Sequence, residues 1–290
     1  MFKPATKIAI IAGLIAKKKN IEMKIYKIES LFNIKGKVAL VTGGSRGIGF
    51  MIAKAYVENG VKVYITSRTA EECNAAAEEL SKIGTCIAIH SDVATEKGRK
   101  TVVGVLNHAE ESLDVLVNNA GVEGGMREND RFDEYSEASY DKVMAVNVKA
   151  PFRLTQKLFG LLNKNASKSN PARVINIGSV LGINPPHGSV SSGAYGPSKA
   201  AVHFMAKEFA NLLGKQNIIC NAIAPGFFET KMTAPRGKMD ATFQDHLENI
   251  LPIGRIGAPS DIAGIAIFLA SPASTYITGE VIKVDGGYTL

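Results

Sequence analysis

The sequence predicts an α/β protein built on one doubly wound parallel sheet of about seven strands, with helices on both faces. Three observations carry this expectation. Short β-branched runs alternate with helix-patterned runs from residue 38 to residue 284. Those short runs are almost continuously apolar, as strands covered on both faces are. A glycine-rich turn joins the first of them to a helix. The chain has 290 residues, 46% of them hydrophobic, which is enough to bury one full core. No repeat, low-complexity tract or linker divides it, so one domain over residues 34–290 is expected.

The elements follow in order. Val38–Thr42 reads as the first strand, and a helix over Ile48–Asn59 stops at Gly60. Val61–Thr66 is the second strand, followed by a polar-faced helix over Ala70–Lys82. Thr85–Ile89 is the third strand, Thr95–Ala109 a helix, and Leu113–Val117 the fourth strand. A long helix is expected from about Tyr140 to Leu162. Arg173–Ile177 is the fifth strand and Ala194–Leu213 another long helix. Ile218–Ile223, a helix over Ser260–Ala270 and a last strand Val281–Val284 complete the pattern. From Gly226 to Pro259 the chain reads as an irregular lid.

Charge and cysteine content exclude several classes. The net charge of +7 resides in residues 1–37, where nine Lys face only Glu22 and Glu29, and the rest of the chain is neutral. A basic groove for nucleic acid is therefore not expected. Cys73, Cys86 and Cys220 are far apart in sequence and form no CxxC, which suits a reducing, cytoplasmic setting and no disulfide framework. No metal-ligand spacing occurs. The apolar run Ile8–Ala16 is too short to span a membrane and ends in Lys17, Lys18 and Lys19 rather than a cleavage site. Residues 1–33 thus read as a basic extension. It is a disordered segment or an upstream start before Met23, with organellar targeting or interfacial anchoring as the alternatives.

The first strand runs into Thr42-Gly43-Gly44-Ser45-Arg46-Gly47-Ile48-Gly49. Glycines there let the backbone approach a pyrophosphate while the helix N-terminus faces its charge. The spacing is G-x3-G-x-G, and its place between strand and helix points to a dinucleotide. An NAD site would place an acid at the end of the second strand. Here the residues are Thr66-Ser67-Arg68, so a 2′-phosphate paired with Arg68, and with Arg46 from the glycine loop, points to NADP(H). Asp92 after the third strand could contact the adenine edge or cap the next helix.

Tyr195 and Lys199 stand four apart on an expected helix and share one face. Ser179 ends the fifth strand, Asn118-Asn119-Ala120-Gly121 follows the fourth, and Asn147 lies in the long helix. Taken in order, T-G-x3-G-x-G, N-N-A-G, S, Y-x3-K and P-G resemble the short-chain dehydrogenase/reductase family over about residues 34–290. Pro225–Thr230 and Val284–Tyr288 look most like 3-oxoacyl-(acyl carrier protein) reductases. Asn170–Ser179 and Ala194–Ala200 look most like the rhamnolipid-pathway 3-oxoacyl reductase branch.

The resemblance implies a Rossmann-like fold, carbonyl reduction by NADPH, and Ser179, Tyr195, Lys199 and Asn147 as the catalytic set. Tyrosine is protonated at neutral pH and can act as general acid. Lys199 and an oxidised nicotinamide would favour its phenolate in the reverse direction. Ser179 would orient the carbonyl, and Asn147 would hold a water behind Lys199. Cofactor contacts are implied for Thr42, Gly43, Ser45, Arg46, Gly47, Ile48, Gly49, Ser67, Arg68, Asp92 and Val93. They are implied also for Asn119, Ala120, Gly121, Pro225, Gly226 and Thr230, besides Tyr195 and Lys199, with Asn118 in support.

The expected substrate is a 3-oxoacyl thioester. Sugar, steroid, polyol or xenobiotic carbonyls are the alternative, and a non-catalytic NADP-binding protein is a third reading that the intact catalytic set opposes. Phe227, Phe228, Met232, Met239, Phe243, Leu247 and Ile250 would either line an acyl path or pack the lid. His187 reads as a loop residue and His203 as packing. Arg127, Arg131 and Arg153 are candidate contacts for an acidic carrier protein. The resemblance also implies a homo-oligomer, a tetramer or dimer.

Overall fold

The structure is a computed structural model and describes residues 26–124, 132–185, 192–230, 232–233 and 240–290. The N-terminal apolar run, Arg127, Arg131, His187 and Met239 lie outside the described residues. A short helix α1 (Ile28–Leu31) precedes Ile34, the first residue to enter the core.

Seven parallel strands form one sheet. They are β1 (Val38–Val41), β2 (Lys62–Ser67), β3 (Cys86–His90), β4 (Val115–Asn118), β5 (Ala172–Ile177), β6 (Ile218–Pro225) and β7 (Val281–Val284). Their spatial order is β3-β2-β1-β4-β5-β6-β7. Every residue of β4, β5 and β6 is buried, as the continuous apolar runs require. Alternate residues of β1 serve opposite faces. Ala39 and Val41 join one core layer with α2 (Gly47–Glu58), α3 (Ala70–Ser81) and α9 (Pro259–Ala270). Leu40 joins the other layer with α4 (Glu96–Ala109), α6 (Ala150–Lys164) and α7 (Tyr195–Leu213). The strand order reverses between β1 and β4, so a crevice opens at their C-terminal ends.

Two expectations need correction. The long helix is not continuous: α5 (Glu137–Met144) gives way to a π-helical turn, Ala145–Lys149, before α6 begins. Pro151 has no N–H to donate, so the carbonyl four residues earlier, that of Asn147, loses its α-helical partner and the ladder shifts. The lid, read as irregular, contains α8 (Ala241–Ile250). Asp240 caps it by accepting from Phe243 N at 3.1 Å, and Pro252 follows its end. Phe243, Leu247 and Ile250 stand at i, i+4 and i+7, a helical period that the reading as an irregular lid missed.

Candidate active site

The crevice is a cavity of about 850 Å³. It is lined by the turns after β1, β2, β3, β4 and β5, the start of α7, and the lid. Gly43 has φ +65°, a left-handed conformation that suits glycine. A Cβ on Gly49 would run into the Asn119 side chain and the Gly43 carbonyl. The cradle is thus built for backbone contact with an anion, at the N-terminus of α2. Asn119 fastens its far wall, donating from Nδ2 to Thr42 O (2.9 Å) and Gly43 O (3.1 Å).

Nearly every residue expected to hold the dinucleotide lines this cavity: Gly43, Ser45 to Gly49, Ser67, Arg68, Asp92, Val93, Asn119 to Gly121, Pro225, Gly226 and Thr230. Thr42 does not. It is buried beneath the loop, where its hydroxyl accepts from the N–H groups of Asn119 and Ala120, both at 3.0 Å. Asn118 is also interior and donates to Asn176 Oδ1 (2.9 Å) and Thr155 Oγ1 (3.2 Å), so any support it gives is indirect. Asp92 is not the helix cap. Thr95 fills that position by accepting from Gly98 N at 3.0 Å, while Asp92 Oδ1 accepts from Ala94 N. No motif pointed to Arg99, a buried side chain that fixes this turn through the Val93 and Ala94 carbonyls.

No acid ends β2. Arg68 is exposed at the cavity edge. Arg46 also lines it but is drawn toward Glu72 of α3, with Nη1 3.5 Å from Oε1. Glu72 is a lining residue that motif reading missed.

The α7 helix begins at Tyr195 and carries Lys199 one turn on, both within the cavity wall. The Tyr195 hydroxyl faces the Ser179 side chain, and its pKa is pushed up to about 12, chiefly by burial. The Ser179 side chain works against that rise, and the nearby Glu123 carboxylate adds to it. Lys199 lies 5.5 Å from the Tyr195 ring centroid and donates to Ile177 O at 2.8 Å. Its own pKa falls to about 8 through burial. Burial of the phenol, rather than the Lys199 charge, sets the direction of the Tyr195 shift.

Asn147 sits in the π turn, behind the cavity rather than in its lining. Its Nδ2 donates to Val122 O (3.0 Å) and Ser198 Oγ (2.9 Å), and its Oδ1 accepts from Val122 N (2.9 Å). Both side-chain N–H groups are thus committed to protein.

The lid answers both expectations. Phe227, Phe228, Met232 and Phe243 line the cavity, whereas Leu247 is buried in a small cluster with Leu251, Phe227 and Tyr288. Ile250 is largely exposed. Arg153 points away from the cavity and donates to Gln156 Oε1. Among the described residues no group of three His, Cys, Asp or Glu could hold a metal ion, and no helix is long and apolar enough to cross a membrane.

A family model described as enoyl-(acyl carrier protein) reductase matches residues 43–289. The chain belongs to the short-chain dehydrogenase/reductase family. It is therefore an oxidoreductase, and the expected family and fold are borne out. The rhamnolipids biosynthesis 3-oxoacyl-[acyl-carrier-protein] reductase of Pseudomonas aeruginosa is 43% identical over 259 residues, 89% of this chain and 98% of that one. A solved Pseudomonas aeruginosa RhlG/NADP active-site complex superposes with a TM-score of 0.84 at 43% identity, covering 90% of this chain and 99% of that one. A 3alpha-hydroxysteroid dehydrogenase of Mediterraneibacter gnavus is 34% identical over 87% of this chain and 97% of its own length.

Proposed function

We propose that this chain is an NADPH-dependent reductase of 3-oxoacyl thioesters, with Tyr195 as the general acid. The observation that carries the reading is a protonated, buried tyrosine, facing Ser179, at the meeting of a dinucleotide cradle and an apolar wall. The glycine turn fits the pyrophosphate. Arg68, with no acid at the end of β2, fits a 2′-phosphate. When bound there, the reduced nicotinamide supplies the hydride.

The chain's own residues handle orientation and the proton. Ser179 holds the carbonyl oxygen, and Tyr195 gives it a proton as negative charge develops. Lys199 stands behind the tyrosine, and the Asn147 carbonyl holds the water that links it to solvent. Phe227, Phe228, Met232 and Phe243 exclude water and accept an acyl chain. A flat apolar ketone such as a steroid is the second reading, supported by the same aromatic wall and by the steroid-dehydrogenase relative.

Exposed Phe152 on α6, with Phe204 and Leu212 on α7, is the face through which copies associate, as a tetramer or dimer. Arg153 lies beside it, so a carrier protein would meet the lid side instead. Light scattering checks the assembly, and a stable monomer would reject it. The substrate is tested by following NADPH oxidation with 3-oxoacyl thioesters of coenzyme A and of acyl carrier protein, beside free ketones, steroids and sugars. Turnover of thioesters supports the first reading. Turnover of ketones alone rejects it and keeps the proton chemistry.

A further inference from the structure

His203 lies one turn beyond Lys199 on α7, almost fully buried, and faces the turn that carries Ser179. Its Nε2 accepts a hydrogen bond from the Ser179 backbone N–H at 3.3 Å. The ring also packs against Gly182 and faces its backbone. Because Nε2 is the acceptor, the other nitrogen carries the proton, on the side that faces the Gly182 backbone. One imidazole therefore spans both ends of the segment 179–182, which contains the 3-10 turn Val180–Gly182.

The surroundings are shaped to the ring. A Cβ on Gly178 would run into His203 Nε2 and Cδ2. A Cβ on Gly182 would come within 2.6 Å of the Lys199 carbonyl carbon and 2.9 Å of His203 Cε1. Two glycines thus let the turn lie flat against the helix that carries Tyr195 and Lys199. Within that turn the Ser179 hydroxyl accepts from Leu181 N at 3.2 Å and meets the Tyr195 hydroxyl. Moving the backbone at 179 or 182 would move the serine oxygen away from the tyrosine.

We infer that His203 is a positioning residue, a neutral imidazole that locks the Ser179 turn onto the Tyr195 helix and so sets the Ser179–Tyr195 geometry. The inference rests on the proposed role of Ser179. Burial pushes the imidazole pKa down to about 4, and the charges of Lys199 and Lys207 on the same helix add to the fall, so the ring stays neutral at working pH.

Three single variants and one double variant separate this role from packing. His203→Leu fills the space but bonds neither backbone group. His203→Gln keeps an acceptor near the place of Nε2. Ser179→Ala removes the oxygen being positioned. With an acetoacetyl thioester and NADPH, His203→Leu should lose kcat by on the order of 10- to 100-fold, while NADPH binding by fluorescence stays unchanged. His203→Gln should recover part of that loss, and Ser179→Ala/His203→Leu should be little worse than Ser179→Ala. Packing alone predicts that Leu is tolerated at least as well as Gln, and that ordering would overturn the inference. So would additive losses in the double variant. A Ser179→Ala variant with full kcat would remove the serine's role and the inference with it, which tells the two failures apart. Imidazole ¹⁵N NMR gives a readout without turnover: a neutral Nδ1–H tautomer for His203 supports the inference, and an Nε2–H tautomer rejects it.

Discussion

Tyr195 and Lys199 show how one environment sorts two groups. Burial raises the phenol to about 12 and lowers the ammonium to about 8, because both charged forms are disfavoured away from water. The tyrosine is left as a proton donor at neutral pH. Replacing it with Phe should lower kcat by roughly 10²–10⁴ with NADPH affinity intact, and turnover near the wild-type value would exclude it as the acid. Arg68 makes its case by the absence of a nearby acid at the end of β2. Arg68→Asp should weaken NADPH binding by roughly ten- to a hundredfold and improve NADH relative to it. Fluorescence titration with both cofactors checks this, and an unchanged ratio rejects the phosphate contact. Both residues stood out in the sequence, since the Y-x3-K spacing and the missing acid are local patterns. Glu72, Glu123 and Arg99 did not, since their roles arise from elements far apart in the chain.

At the scale of elements, the strands and most helices were legible because burial on both faces leaves continuous apolar runs. The exceptions have physical causes. The π turn depends on a single proline, Pro151, that shifts a hydrogen-bond ladder. Helix α8 does show a period, with Phe243, Leu247 and Ile250 at i, i+4 and i+7 behind the Asp240 cap and Leu247 as its buried anchor, and its flanking Pro and Gly residues made the stretch read as loop. Phe243 on that helix meets Phe227 edge-on, with ring centroids 6.3 Å apart, and Phe227 meets Tyr288 at 5.0 Å. This aromatic row forms part of the cavity wall. Phe243→Ala should widen it and shift the preferred 3-oxoacyl chain toward greater length. Comparing kcat/KM across chain lengths tests this, and an unmoved optimum would mean that α8 does not measure the chain.

For the whole molecule, the buried bases tie stability to pH. The ordinary imidazole pKa is 6.5 and that of folded His203 is about 4. Below both values folding must tolerate a buried imidazolium, and above both the penalty is absent. This contribution to stability therefore grows as pH rises from about 4 to 6.5. His203→Gln should flatten that part of the curve in urea denaturation followed across the same range. A variant curve with the wild-type slope would show that carboxylates alone set the acid limb.

The sequence by itself determined the layer architecture, the glycine cradle and the cofactor preference, and it singled out Tyr195 as the candidate acid, because each depends on local spacing along a strand, a turn or a helix. Only the tertiary structure decided which of those residues face the cavity. It turned Thr42 and Asn147 inward to hold backbone and Asn118 inward to hold the Asn176 and Thr155 side chains, and it brought His203 onto the serine turn. The physical reason is that a buried polar side chain takes whichever partners the packing of distant elements leaves unpaired, and no spacing within one element encodes that choice.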